Sequence, residues 1–154
     1  MCDIFFLIAP KLARSDLTRH CCASRLPVLF RHEFQMTRDE FDVFCSELPA
    51  TSHVIQWGNA SVWKVGGKIF AICSRWGDGD HQRIGFKCSD ISYALLIQQE
   101  GMIPAPYLAR AKWVQMERAG ALPDQDLKAY IVAAHKIIAG KLTKKARKEL
   151  GLAE

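Results

Sequence analysis

From Met36 onward the apolar residues follow one secondary-structure period and then another. In "MTRDEFDVFCSELP", residues 36–49, Phe41, Phe44, Cys45 and Leu48 recur at i, i+3, i+4 and i+7, the buried stripe of an amphipathic helix. Thr37 with Glu40 three residues later forms a capping box at its start, and Pro49 ends it. A loop, "PATSHVIQWGNA", follows, with a short strand at residues 54–57. In "SVWKVGGKIFAICS", residues 61–74, the period changes to two. Gly66-Gly67 between two apolar runs predicts a hairpin with a type I′ turn, whose two central residues need positive φ. That turn sets Val65 opposite Lys68 and Trp63 opposite Phe70. Alternation then gives Trp63, Val65, Phe70 and Ile72 one face, the better core, and Val62, Lys64, Ile69, Ala71 and Cys73 the other. Lys68 joins the core face only at the tip, where it reaches water.

"RWGDGD" reads as a second turn and "RIGFKC" as a third strand, with Ile84, Phe86 and Cys88 inward and Arg83 and Lys87 on the open face beside Lys64. Ser89 or Asp90 caps a helix, "DISYALLIQQE", which Gly101 stops. "MIPAPYLARA" is a proline-bearing loop. "KWVQME" alternates again, with Val114 and Met116 in the core. Pro123 in a first turn, followed by Asp124 and Asp126 near the positive end of the dipole, opens a long helix. Its buried stripe is Leu127, Tyr130, Ile131, Ala134 and Ile138, and Gly140 breaks it. Thr143 caps a short basic helix with Leu142, Ala146 and Leu150 on one side. This order predicts an α+β fold, an antiparallel sheet with helices packed on one face.

The first 35 residues show neither period, and the clean helix start at Met36 marks them as an appendage to a domain spanning 36–152. A chain of 154 residues is long enough for one core without covalent staples. Its longest apolar run, Ile4 to Pro10, is far short of the ~20 residues that span a bilayer. Asp3 stands where a signal peptide would carry a cation. A cytoplasmic location is expected, and the six cysteines are expected to be thiols. The net charge of +5 is uneven. Residues 1–35 hold five Lys/Arg against three Asp/Glu, residues 36–135 ten against eleven, and residues 136–154 six against two. An anionic partner would therefore meet a local patch or the tail rather than a uniformly basic surface.

Six segments in order, "MTRDEFDVFCSELP", "VWKVGGKIFAI", "FKCSD", "PAPYLARAKWVQM", "LPDQDLKAYIVAAHKII" and "KLTKKARKELGL", resemble the MmcQ/YjbR family from Met36 to about Leu152. The resemblance implies a CyaY-like fold and DNA binding through a double-wing arrangement. The first 35 residues have no counterpart in that pattern.

Lys64, Arg83 and Lys87 on the open face, with Trp113 as an aromatic platform, would bind phosphates and stack a base. Lys68, Arg110 and Lys112 extend this expected nucleic-acid-binding set. "PYLARAKWV" also brings Tyr107, Arg110, Lys112 and Trp113 together, so a small anionic ligand or protein partner recognised by this loop is the alternative. Asp39, Glu40, Asp42 and Glu47 are not read as a metal site, because Glu40 is committed to the capping box and acids are favoured in a first turn, and "GDGD" at 77–80 lacks the distal Glu of a calcium loop. No cofactor, metal or membrane partner is expected, and the chain is read as a monomer. His20, His32, His53, His81 and His135 stand in no catalytic motif, and no nucleophile elbow, Walker loop or H-E-x-x-H is present. The expected protein binds without catalysis.

Overall fold

A computed structural model of the chain describes residues 36–75 and 81–152. The readings made on residues 1–35 and on the turn at 77–80 lie outside the described residues. Thr37 accepts from the Glu40 amide, and the Glu40 carboxylate accepts from the Thr37 amide at 2.8 Å, completing the capping box of α1 (Arg38–Ser46). Three strands follow, β1 (Thr51–Gln56), β2 (Ala60–Val65) and β3 (Lys68–Ser74). Then come β4 (Arg83–Lys87), α2 (Asp90–Leu96), β5 (Met102–Pro104), a 3-10 turn (Ala109–Ala111) and β6 (Trp113–Met116). Two helices close the chain, α3 (Asp124–Gly140) and α4 (Lys144–Glu149).

The six strands form one sheet in the order β1-β2-β3-β4-β6-β5, with every neighbouring pair antiparallel. The helices pack on one face, which makes this the expected α+β fold. There the largest buried cluster joins Trp63, Val65, Phe70, Ile84, Phe86, Val114 and Met116 of the sheet to Phe41 and Cys45 of α1, Leu96 of α2, and Leu127, Ile131, Ala134 and Ile138 of α3. Each large apolar side chain buried here contributes roughly 1.5–3 kcal/mol relative to exposure. His135, one position off the expected stripe, is also buried, and its Nε2 bonds the Pro49 carbonyl at 2.9 Å.

Three local readings need correction. Gly66 and Gly67 do form the turn, at φ +54° and +76°, and Val65 does pair with Lys68. But Lys64 pairs with Ile69 while Trp63 pairs with Ala71, not Phe70. Phe70 is the extra residue of a β-bulge, and a bulge shifts the alternation beyond it. Phe70, Ala71 and Cys73 consequently belong to the helix-side cluster, and Ile72 to the opposite one. Gly140 does not break α3; it is the last helical residue. Pro123 is the residue before the helix, not within its first turn. Beyond α3, Leu142 packs over the hairpin turn so closely that a Cβ on Gly66 would lie 2.6 Å from its Cδ1.

Candidate functional site

The sheet face away from the helices is not an open basic plane. Ala60, Val62, Ile72, Ala105 and Trp113 form a second buried cluster there, with Val54, Ile69 and Leu108 packed against it. The segment from Ala105 to Leu108 roofs part of the face. Trp113 is 6% exposed, so it is no free stacking platform. The physical reason is the bulge, which sends Ile72 to this side, where Val62, Ile72 and Trp113 bury one another under the loop.

The cations collect instead at one end of the sheet, where β4 ends and β6 begins. Lys87 pairs with Trp113 across these strands. A cleft of about 570 Å³ is lined there by Lys87, Arg110, Lys112 and Lys141, with Asp90 as an acidic group at its wall. None of these four cations forms an ion pair with a carboxylate among the described residues. Arg110 and Lys141 are exposed. Lys112 adopts φ +58° after the 3-10 turn, and its Nζ lies 4.9 Å from the Tyr93 ring centroid. Lys68 joins from the hairpin, its Nζ donating to the Lys141 carbonyl at 3.3 Å.

Lys87 is the unusual member. It is 8% exposed, and its ammonium donates to the carbonyls of Cys88 and Lys112. Burial lowers its pKa, and the positive charge of Lys141 adds to this. A lysine ammonium has three donors, and these two carbonyls leave one for a ligand.

The seven residues expected to bind nucleic acid are thus not one patch. Lys68, Lys87, Arg110 and Lys112 gather at the cleft, and Lys64 is half-buried on the adjoining strand near the hairpin turn. Arg83 pairs with Ser74 at the other end of β4, about 13 Å away at ~3.3 Å per residue. Trp113 lies between, as a wall. Lys141 was missed as a site residue; its place in the charge-rich tail was the available signal.

Trp113 also walls a second hollow, about 470 Å³, on the apolar part of the face. Ile72, Gly85 and Gln115 form its floor, and Trp57, Pro106, Tyr107 and Leu108 stand around it. Tyr107 is fully exposed, at φ +64°.

Under α1 a serine, a histidine and an aspartate meet. Ser61 Oγ donates to Asp42 Oδ1 and lies 2.8 Å from His53 Nε2. Ser61 is fully buried and its proton is committed to the carboxylate, so the trio lacks the nucleophile–base–orienter chain of a hydrolase. Trp63 Nε1 donates to the same Asp42 oxygen at 2.8 Å, which marks the group as a structural network. Cys45, Cys73 and Cys88 are buried thiols. Burial pushes Cys73 up to about 12 and Cys88 to about 11, and raises Cys45 further, so none supplies a thiolate near neutral pH. Among the described residues no three His, Cys, Asp or Glu side chains converge to hold a metal ion. No described helix is long and apolar enough to cross a membrane.

Residues 46–137 match the YjbR family. No curated protein matches the sequence. Among solved structures, a Deinococcus radiodurans protein with a DUF419 domain is 25% identical, with a TM-score of 0.68 over 80% of this chain and 94% of that one. A Pseudomonas syringae protein is 17% identical at a TM-score of 0.55, covering 67% of this chain and 99% of that one, a likeness of fold alone.

Proposed function

The chain belongs to the YjbR family, and we propose that it binds DNA through its phosphates at the basic end of the sheet, without catalysing a reaction. The observation that carries this reading is the cleft in which Lys87, Arg110, Lys112 and Lys141 meet without a carboxylate ion pair among the described residues. Four cations against the single carboxylate of Asp90 leave the concavity net positive, and a polyanion relieves their repulsion while releasing its own counterions. The family's DNA-binding label points the same way. A small-ligand or protein-interaction module on the Tyr107–Trp113 loop is the second reading, favoured by the hollow beneath that loop.

The test is fluorescence anisotropy with a labelled DNA duplex. With about four phosphate contacts the logarithm of affinity falls with that of salt at a slope near −3.6, roughly 150-fold between 50 and 200 mM. Arg110→Glu with Lys141→Glu, both at exposed positions, abolishes binding while leaving the melting temperature in place. A wild-type chain that ignores duplex DNA, or a double variant that binds as before, overturns the proposal.

A further inference from the structure

The hollow beside the cleft has a floor set by strand register. Ile72 pairs with Gly85 and Gly85 with Gln115, so three adjacent strands place these residues in one row. Gly85 contributes no side chain to it, which leaves a depression between Ile72 and Gln115. Trp113, Pro106 and Leu108 wall it, and Trp57 and Tyr107 form an exposed aromatic rim.

Two polar groups face this otherwise apolar space. Gln115 is 8% exposed and Ser74 3%. Among the described residues neither side chain has a hydrogen-bond partner, and both line the hollow. Neither counts among the described buried side-chain atoms without a partner, so water in the hollow reaches both, and a ligand that displaces this water must replace its hydrogen bonds. A hydrocarbon would leave both unanswered. The carboxamide of Gln115 sets an acceptor beside a donor, the complement of a nucleobase edge with a donor next to an acceptor. Exposed aromatic faces such as those of Trp57 and Tyr107 stack bases irrespective of sequence, while the buried Trp113 closes the side of the hollow.

Trp113 lines both this hollow and the basic cleft. A planar heterocycle in one and a phosphate in the other are therefore separated by a single side chain. We infer that the hollow receives an unstacked base of a DNA single strand whose backbone lies in the basic cleft, with Gln115 reading the base edge. This rests on the phosphate-binding reading of the cleft and adds a preference for unpaired over paired strands.

The experiment compares a labelled single strand, the same strand with abasic sites, and its duplex, at one salt concentration. The intact strand is expected to bind at least tenfold tighter than the duplex. Abasic sites or Gln115→Leu erase that gap and leave duplex affinity unchanged. Tyr107→Ala, at a fully exposed side chain that cannot unfold the sheet, narrows it. Equal affinity for strand and duplex in the wild type overturns the inference, as does a gap that survives both substitutions. Failure of the phosphate reading looks different. There Arg110→Glu with Lys141→Glu leaves every affinity untouched while the gap persists.

Discussion

Replacing Asp42 by alanine removes the acceptor on which a buried part of the sheet depends. Asp42 Oδ1 accepts from Trp63 Nε1 at 2.8 Å and from Ser61 Oγ, and Arg38 lies 3.8 Å from the other oxygen. Ser61 retains a partner in His53, at 2.8 Å. The indole N–H of Trp63 does not, and that residue is 6% exposed. A hydrogen bond to a charged acceptor contributes about 1.5–3 kcal/mol, and stranding a buried donor costs about 1–3 kcal/mol, two views of largely the same loss. The Arg38 pair adds little, because its partner's side chain is 26% exposed. Asp42→Ala should therefore cost about 1.5–3 kcal/mol. With an m-value near ~2 kcal/mol per molar, the urea midpoint falls by roughly 0.8–1.5 M. Asp42→Asn keeps an acceptor for the indole and should lose about 1 kcal/mol. Equilibrium unfolding in urea, followed by tryptophan fluorescence, measures both. A loss under ~0.5 kcal/mol for alanine, or equal losses for the two substitutions, would refute the reasoning.

Lys87 predicts an alkaline signature. Its pKa is lowered by burial first and then by Lys141, so the fold disfavours its charged form. Phosphate affinity should decline as pH rises through that lowered value, before ordinary lysines near ~10.4 deprotonate. Stability should climb over the same window relative to Lys87→Met, a difference that cancels the buried thiols, whose raised pKa values make stability fall above ~9. Anisotropy and urea midpoints against pH check both, and identical wild-type and Lys87→Met profiles would count against a role for this ammonium. A chain beginning at Met36 is expected to melt within a few degrees of the full chain. Met36 is 1% exposed and its nitrogen donates to Asp124 Oδ1 at 3.0 Å, a bond that a terminal ammonium makes charge-assisted. Calorimetry, with mass spectrometry confirming that Met36 is retained, tests this; a loss of ten degrees would contradict it.

Local signals with a fixed geometric meaning were legible in the chain. The capping box at Thr37 and Glu40, the two-glycine turn, the Ser89 and Thr143 caps and the inward set Ile84, Phe86, Val114 and Met116 all stand as their spacing implies. What period-two reading could not see is one inserted residue. The bulge at Phe70 leaves the hydrophobic composition of β3 unchanged and reverses the side chains beyond it. That shift, together with the Ala105–Leu108 segment over the face, replaces the expected open basic plane with an apolar cluster that includes Trp113. The Asp42 network was equally hidden, because Asp42, His53, Ser61 and Trp63 meet only after α1 has packed across β1 and β2. Six ordered segments carried the family, since they record spacing along the whole domain rather than the state of one strand.

Strand alternation alone would spread Lys64, Lys87 and Arg83 evenly over the unhelixed face. An ammonium in the middle of such a face could remain charged only if the face stayed wet. Here Ile72, Val62 and Trp113 cover it with apolar surface, so charge is tolerated only where strands end and a long side chain can reach carbonyls or water. Lys87 does this at the end of β4, with Cys88 and Lys112 offering the carbonyls. Arg110, Lys112 and Lys141 arrive from loops and a helix terminus that the same end brings together. Mid-face, Gly85 denies the apolar layer one side chain and leaves the hollow facing Gln115. Excluding charge from the centre of the face and opening a gap in its apolar cover thus produce two adjoining surfaces, one cationic and one aromatic, with Trp113 as their common wall.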